Sequence, residues 1–301
     1  MGLLRNEVKR QKARVKRQKC FRRVGCWALF FIIAAPSGLV LYGADAREIV
    51  RRSLQIDENN EKIARNYTFL ERTEQRETDN DGHVKSRKSK TYDVTLLEGS
   101  PYRRLVEVDG RPLPPKDEQK EREKLQNNTN WRRAETSAQR QQRMAEYERS
   151  RENQRQTFRE VLQAFDFQLL GEDRIGSRAM YVIGATPHPG YEPRLRVARF
   201  FPKVKGKLWI DQQDYQWVRA EAESIDTISI AGFILRVAKG AHLTIEMEHV
   251  NNEVWLPKHV LARASARIAL VRKFNGEYEI DYLNYRKFQV DSRVVAAQEI
   301  N

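Results

Sequence analysis

The alternation of apolar and polar residues at 260–270 constrains the fold of this chain more than any other sequence feature. Every second residue there is apolar, from Val260 to Leu270, whereas the positions between include Arg263 and Arg267. Side chains alternate between the two faces of a β-strand, so a period of two predicts a strand with one apolar face and one solvated face. Residues 243–248 repeat the pattern. The chain is therefore expected to build an antiparallel sheet.

Further strand signals continue along most of the chain. Strands are predicted to begin at 67 and to run over 90–97, 102–108, 166–170, 179–185, 206–211, 215–224, 228–237, 243–250, 254–271 and 277–290. Turn residues separate these segments, among them Asp81-Gly82 and Asp109-Gly110, where glycine supplies the positive φ of a tight turn. Consecutive strands joined by short turns predict an antiparallel meander and a mainly β (α+β) fold.

Two segments interrupt the strand pattern with helical signals. Residues 47–64 place Ile49, Ile56 and Ile63 at roughly helical spacing, and Asp45 is positioned to cap an N-terminal helix. Residues 116–165 contain no Gly or Pro and are rich in Arg, Lys, Glu and Gln, which predicts a long charged helical insert. The insert is either a solvated helix packed outside the sheet or a mobile lid or partner-binding arm.

The apolar face of 260–270 has unusually small side chains. Ala262, Ala264 and Ala266 follow one another on that face, whereas a filled β core favours larger branched residues. The space above them is predicted to hold either the helix at 47–64 or a ligand, and the sequence leaves both possibilities open.

Three tryptophans fall in successive predicted strands. Trp209, Trp217 and Trp255 are joined by Phe233 nearby. Trp209 and Trp255 each have apolar residues on both sides along the chain, which indicates strands buried on both faces. Such residues either pack in an ordinary core or line an apolar cavity.

The N-terminal segment, residues 1–46, has the organisation of an export signal. A basic stretch at 5–23 precedes the uncharged residues 27–42, and Ala44-x-Ala46 fits a cleavage site. The uncharged stretch spans only about 24 Å as a helix, short of the ~30 Å hydrocarbon core, which favours a cleaved signal. The long basic stretch is also compatible with an uncleaved inner-membrane anchor. Either alternative places residues 47–301, a single β-rich domain, in the periplasm or another extracytoplasmic space.

Charge and cysteine content exclude some functions for that domain. Residues 1–46 hold ten of the 55 Lys and Arg residues and two of the 41 acidic residues, so residues 47–301 carry a net charge of only +6. Bases and acids are interleaved there, without the clustering that nucleic-acid binding requires. Cys20 and Cys26 both precede the domain, which therefore has neither a disulfide nor a thiol nucleophile.

The sequence contains no motif with a known catalytic mechanism. It lacks a nucleophile elbow, a P-loop, a dinucleotide-binding glycine motif and a zinc-protease signature. His242 and His249 are seven residues apart, which places them on opposite faces of a continuous strand. We therefore expect no catalytic residue, no metal site and no cofactor.

The layout resembles the LolA/LolB-like superfamily of periplasmic lipoprotein carriers, which includes the regulator RseB. The resemblance rests on the export signal, the N-terminal helix, the segments at 206–211 and 212–219, the Val-Trp-Leu-Pro at 254–257 and the closing strand at 278–290. It covers 47–110 and 166–291, and the insert departs from it. The resemblance implies a large curved antiparallel sheet, or half-open barrel, whose apolar concave face holds acyl chains under covering helices.

Two main functional hypotheses follow. A lipid- or lipoprotein-binding carrier or sensor would line its concave face with apolar residues, for which the candidates are Trp209, Trp217, Phe233, Ile245, Met247, Trp255, Ala262, Ala264 and Ile268. A non-catalytic interaction or regulatory module would instead have a filled core and would bind an envelope protein through the insert at 116–165. An unrecognised enzyme is a third and weaker hypothesis.

Overall fold

A computed structural model describes residues 45–79, 81–230, 235–268 and 272–288. The predicted export signal therefore lies outside the described residues, apart from its last two positions, and so does Phe233. Ile268 lies within a described strand, but its side chain is not described.

In these described ranges, thirteen strands form one antiparallel sheet that does not close. They are β1 (Tyr67–Thr78), β2 (Val84–Leu97), β3 (Ser100–Val108), β4 (Arg111–Pro112), β5 (Phe165–Ile175), β6 (Arg178–Pro187), β7 (Val204–Asp211), β8 (Trp217–Ser224), β9 (Ile228–Ile230), β10 (Leu235–Val237), β11 (His242–Val250), β12 (Val254–Ile268) and β13 (Arg272–Lys287). Their spatial order is β4-β3-β2-β1-β13-β12-β11-β8-β7-β6-β5, and the short pair β9-β10 joins the end of β12 through β10. The mainly β prediction and the large open sheet are confirmed.

The pairing of β1 with β13 joins the two ends of the domain in the middle of the sheet. Tyr67 lies opposite Lys287 and Thr78 opposite Asn275. The N-terminal strands β1–β4 thereby extend a sheet whose other half is built from β5–β8 and β11–β12. A meander of sequential neighbours alone would not produce this arrangement.

The N-terminal helix α1 (Ala46–Ala64) is present as predicted. Asp45 caps it, with its carboxylate accepting a hydrogen bond from the Arg47 amide at 3.0 Å. Its buried residues Ala46, Ile49 and Val50 pack on Ile183 and Ile210 of β6 and β7. We call the sheet face that contacts α1 the helix face, and the other side the opposite face.

The insert is helical, as predicted, but it forms two helices instead of one. Helix α2 spans Pro115–Arg133 and α3 spans Ser137–Ala164. Thr136 starts α3 with a capping box, in which its side chain accepts from the Gln139 amide and the Gln139 side chain accepts from the Thr136 amide. This reciprocal cap satisfies the first amides of a new helix and so separates it from α2.

The other departures from the predicted elements are local. A 3-10 helix at Val197–Lys203 was not predicted, and the strand expected at 228–237 is the two short strands β9 and β10. Within the described ranges, none of the helices has both the length and the apolar character needed to cross a membrane.

Candidate ligand-binding face

A row of apolar side chains crosses six strands on the helix face. The register pairs neighbouring strands residue by residue, and the row consists of Ile183, Leu208, Ala220, Ile245, Val260 and Ile280. It continues to polar positions, Thr73 on β1 and Lys90 on β2. At a strand spacing of about 4.8 Å, the apolar part extends for about 24 Å.

The neighbouring row on the same face is made largely of small residues. It consists of Ala185, Gly206, Ala222, Leu243, Ala262 and Tyr278. A Cβ atom at Gly206 would lie only 2.7 Å from the Glu221 carbonyl oxygen, so this position requires glycine. Small residues beside a row of Leu, Ile and Val create a shallow trough along the face.

The trough is covered at one end and partly open at the other. Ile183 is fully buried beneath α1. Further along the rows, Ile245, Val260, Ala262 and Ile280 are only partly buried, and Leu243 and Tyr278 are 36% and 45% exposed. Helix α1 therefore covers the β6–β7 end and leaves Ala262 and Ala264 partly accessible, whereas Ala266 is buried.

An aromatic cluster lies beyond the trough on β1 and β13. The Phe69 ring centroid lies 5.5 Å from the ring centroids of both Tyr282 and Tyr285. Burial raises the pKa of Tyr282 to about 12, and it raises the pKa of Tyr285 as well. The phenols therefore remain neutral at physiological pH, which keeps this part of the helix face apolar.

Helix α3 extends between the two halves of the sheet on the side of α1. Its C-terminal end packs on β5 through Ala164, and Arg143 near its N-terminal end hydrogen-bonds the Ser100 hydroxyl of β3 at 2.7 Å. From β5 to β3 there are nine strand spacings, about 43 Å along the sheet. The helix covers the same separation in about 32 Å. The chord is shorter than the arc, so the sheet curves around the helix face.

Arginines tether the insert to the β2–β3 turn. Arg143 donates to the Glu98 carbonyl oxygen at 3.1 Å and pairs with Glu135 at 2.7 Å. Arg132 donates to the carbonyl oxygens of Leu97 and Ser100, at 2.7 and 3.1 Å. These contacts are polar, so this end of the insert is fixed by hydrogen bonds and charge.

A second set of ion pairs joins α3 to α1. Glu61 binds Arg151 and Arg155, and further along the two helices Arg159 contacts Glu58 at 2.8 Å. Arg65 at the end of α1 pairs with Glu148, also at 2.8 Å. The ion pairs between the two helices thus range from the largely shielded pairs of Glu61 to the half-exposed pair of Arg159 and Glu58, and Leu162 of α3 adds an apolar contact with the α1 cluster.

Asp57 is the most unusual ionisable group at this helix pair. Its carboxylate accepts hydrogen bonds from the Gln216 side-chain amide at 2.9 Å and from the Trp217 indole at 3.1 Å. Burial raises the pKa of Asp57, and the nearby carboxylates of Glu61 and Glu58 act in the same direction. This group fixes α1 to β8 at the covered end of the trough.

The structure divides the predicted lining residues between the two faces. Ile245, Ala262 and Ala264 lie on the helix face in the open part of the trough, and Trp217 lies at its covered end beside Asp57. Trp209, Met247 and Trp255 form a cluster with Met180 and Val218 on the opposite face. Only the first group can contact a ligand held in the trough.

The trough also contains residues that the sequence did not single out as lining. Leu208, Ala220, Val260, Tyr278 and Ile280 reach it through the strand register. The alternation along each strand indicates that several of these residues lie on an apolar face. Their position in one row depends on which strands pair and on the bulges in the ladders.

One side-chain cluster on the opposite face has the donor set of a metal site. His259, Glu279 and Asp281 offer ligand atoms within 4.8 Å of one another. Arg76 binds Glu279, and Arg72 lies 3.6 Å from Asp281. The cluster is thus part of a network in which guanidinium groups already balance the carboxylates, and we assign it a structural role.

Comparisons with known proteins give fold similarity alone. No protein-family profile and no curated protein matches the sequence. Among solved structures, a LolA-superfamily protein from Nitrosomonas europaea aligns over 82% of this chain and 94% of its own, at 13% identity and a TM-score of 0.30. The chain is similar to LolA-superfamily structures.

Two further structures resemble this chain at a comparable level. A putative outer membrane lipoprotein-sorting protein domain from Vibrio parahaemolyticus aligns over 80% of this chain and 94% of its own, at 10% identity and a TM-score of 0.32. MucB in complex with MucA(peri) aligns over 81% and 100%, at 11% identity and a TM-score of 0.23. The resemblance predicted from sequence is confirmed as an architectural one, and these scores carry no inference about ligand or partner.

Proposed function

We propose that this protein is an extracytoplasmic carrier or sensor that binds the acyl chain of a lipid or lipoprotein in the trough on its helix face. The observation that supports this proposal is the pair of apolar rows that continue from beneath α1 into a partly exposed stretch around Leu243 and Tyr278. An apolar surface held open in a folded protein favours an apolar occupant.

Hydrophobic burial alone is sufficient for this binding. Each methylene transferred from water contributes about 0.8 kcal/mol, so a long acyl chain offers roughly 10 kcal/mol before the costs of ordering and association. The alanines at 262 and 264 lower the floor of the trough, while Ile245, Val260 and Ile280 provide apolar contact along it. The proposed function requires no catalytic group, and we propose that the protein is not an enzyme.

The polar attachment of α3 suits a cover that opens. Its contacts with the β2–β3 turn and with α1 are mainly hydrogen bonds and ion pairs, such as Arg140–Glu98 and Arg159–Glu58. Breaking these contacts exposes groups that water can solvate, so partial opening costs far less than separating an apolar interface. We propose that acyl chains enter and leave through such opening.

The binding proposal is tested by native mass spectrometry of the exported protein purified without detergent, paired with lipid extraction of the same sample. A stoichiometric lipid is expected, and Ala264→Trp should displace it because the indole fills the trough. Lys207→Trp is the matched control, since the exposed Lys207 sits next to Leu208 and faces the other side of the sheet. A clean apo mass, with no uptake of an added fatty-acyl probe, would overturn the proposal.

A second candidate function is favoured by the exposure of α2. This helix has no buried residue, and its Trp131 is 57% exposed. Such a surface fits an interaction or regulatory module that binds an envelope protein through the insert. The apo outcome of the mass measurement, with Trp131→Ala abolishing association with a co-purifying envelope protein, would favour this alternative.

Localisation is proposed from residues 1–46. Their basic stretch followed by an uncharged one supports export, with membrane contact through 27–42 if the segment is not cleaved. N-terminal sequencing of the mature protein decides between the two forms: a start near residue 47 indicates cleavage, and an intact Met1 in the membrane fraction indicates an anchor.

A further inference from the structure

Two arginines lie directly opposite each other where β10 meets β12. The register pairs Arg236 with Arg267. The two guanidinium groups therefore belong to adjacent strands at one level. Like charges directly opposite in a sheet are destabilising, so this arrangement calls for a compensating anion.

No carboxylate in the described parts of the chain pairs with Arg236 or Arg267. The acidic residues nearest along the chain are engaged by other bases: Asp226 by Lys203 at 3.0 Å, Glu246 by Arg219 and Glu277 by Arg263. The adjoining segments 231–234 and 269–271 contain only Ala, Gly, Phe, Ile, Leu and Val, so they supply no acid either.

The same face of the sheet is charge-balanced a short distance away. Arg263, two positions along the same face from Ser265, pairs with Glu277. Arg76 on β1 binds both Glu277 and Glu279. Arg263 thus has a carboxylate partner, whereas Arg236 and Arg267 at the end of β12 have none among the described residues.

A groove of about 420 Å³ lies at this pair of arginines. Its walls are formed by Arg236, Arg267, Thr227, Ser265, Asn275, Ala238 and Ala266. Hydroxyl and amide groups thus stand beside the two guanidinium groups. This set provides charge and several hydrogen-bond donors in one concave site.

We propose that this groove binds an oxyanion of phosphate type, either as a soluble phosphate group or as the phosphate of a lipid headgroup. The planar fork of a guanidinium matches the oxygens of phosphate and can donate two parallel hydrogen bonds. Two such forks on adjacent strands can bind one tetrahedral anion together, and the hydroxyl groups of Thr227 and Ser265 can bind its remaining oxygens. Both arginines lie on the opposite face of the sheet, so the inference does not rest on the acyl-chain proposal.

The test uses the full chain with Arg236→Gln/Arg267→Gln as the groove variant. The control is Arg149→Gln/Arg199→Gln, which removes the same charge from two exposed positions elsewhere. In one arm, inorganic pyrophosphate is titrated by calorimetry at low ionic strength, and thermal unfolding is followed with and without it. In the other arm, the proteins are floated on vesicles of phosphatidylglycerol and phosphatidylcholine.

We expect the groove variant to bind about tenfold more weakly or worse in at least one arm, because charged hydrogen bonds are lost, while the control retains wild-type binding. A loss in the pyrophosphate arm identifies a soluble phosphate group as sufficient, and it should remove the rise in Tm that the anion gives the wild type. A loss confined to the vesicle arm identifies a lipid headgroup. Equal binding by groove variant and control in both arms overturns the proposal, whether or not both are weaker than wild type.

Discussion

At the scale of single residues, Asp57 is a partly buried acid whose environment favours its protonated form. Its two hydrogen-bond donors, on Gln216 and Trp217, are neutral, and burial raises its pKa. The Gln216 side-chain oxygen is buried and has no hydrogen-bond donor among the described residues. A protonated Asp57 carries the proton that could satisfy it.

We predict that Asp57→Asn stabilises the protein at neutral pH. Because the pKa of Asp57 is higher in the folded than in the unfolded protein, its protonation stabilises the wild type. This stabilisation is fully present below the unfolded pKa, about 3.9, and is lost as pH rises through the folded pKa. The amide is neutral at every pH, so the advantage of the variant should grow from acidic to neutral pH. Urea unfolding at pH values from acidic to neutral measures the difference in free energy of unfolding between the variant and the wild type. Asp117→Asn, at an exposed site on α2, should show no such gain, and a less stable Asp57→Asn at neutral pH would contradict the prediction.

Glu74 is the reverse case, a buried acid surrounded by arginines. Its side chain is 2% exposed and accepts hydrogen bonds from Arg87, Arg76 and Arg72. The hydrogen bond from Arg87 is the main cause of a lowered pKa for Glu74. Its stabilisation is therefore present above the unfolded pKa of glutamate and is lost as pH falls through the folded pKa.

We predict that Glu74→Gln lowers the free energy of unfolding by about 1–3 kcal/mol at pH 7, because charged hydrogen bonds to a buried group are lost. The loss should shrink as pH is lowered, since the wild-type carboxyl then protonates too. Glu71→Gln, which removes a pair with the half-exposed Arg103, should cost less than about 1 kcal/mol. Chemical denaturation of the two variants side by side makes the comparison, and equal losses would argue against a special role for Glu74.

At the scale of elements, the sequence identified strands and helices better than their pairing. Alternation at 243–248 and 260–270 identified β11 and β12, and composition identified the helical insert. Pairing of β1 with β13 is a contact between distant segments, and no local pattern encodes it. The prediction of one continuous helical insert did not include the break between α2 and α3, although Thr136 and Gln139 form a capping pattern that can be recognised in the sequence.

One irregularity accompanies the separation of Ile245 from Met247. The ladder of β11 and β12 shifts register between Glu246 and Met247, and Lys258 on β12 is the extra residue that has no partner there. Ile245 belongs to the trough row, whereas Met247 packs with Trp255 on the opposite face. A strict period of two places Ile245 and Met247 on one face, so the alternation read from the sequence could not be extended across this shift.

For the insert, we predict that Arg143→Gln loosens the N-terminal part of α3. This side chain joins α3 to Glu135, to the Glu98 carbonyl and to Ser100. Hydrogen exchange followed by mass spectrometry should show faster amide exchange over 137–150, by about tenfold for each 1.4 kcal/mol of lost local stability. Strand β1 should be unaffected, and Arg149→Gln on the same helix should exchange like the wild type. Unchanged exchange in Arg143→Gln would mean that other contacts hold the helix.

At the scale of the whole molecule, the trough is assembled by parts of the chain that are distant in sequence. Its rows run from Ile183 on β6 to Ile280 on β13, and the insert that bridges the face lies between β4 and β5. The sheet curves around its helix face, and the two ends of α3 are attached to separate halves of the sheet. We therefore expect access to the trough to depend on the ion pairs that hold α3.

We predict that salt accelerates acyl uptake without changing the fold. Ionic strength screens partly exposed ion pairs, with a Debye length of about 10 Å at 0.1 M, so the contacts of Glu58 and Glu98 with α3 should weaken while the apolar rows are unaffected. Stopped-flow uptake of a fluorescent fatty acid should become faster with added salt, and Glu58→Gln/Glu98→Gln should be fast already at low salt. Glu118→Gln/Glu123→Gln, which alters α2 only, should keep the wild-type salt dependence. If uptake has the same rate in all these proteins and at every salt concentration, α3 does not control entry. If all of them show the same dependence of uptake rate on salt, the effect comes from charges outside these pairs.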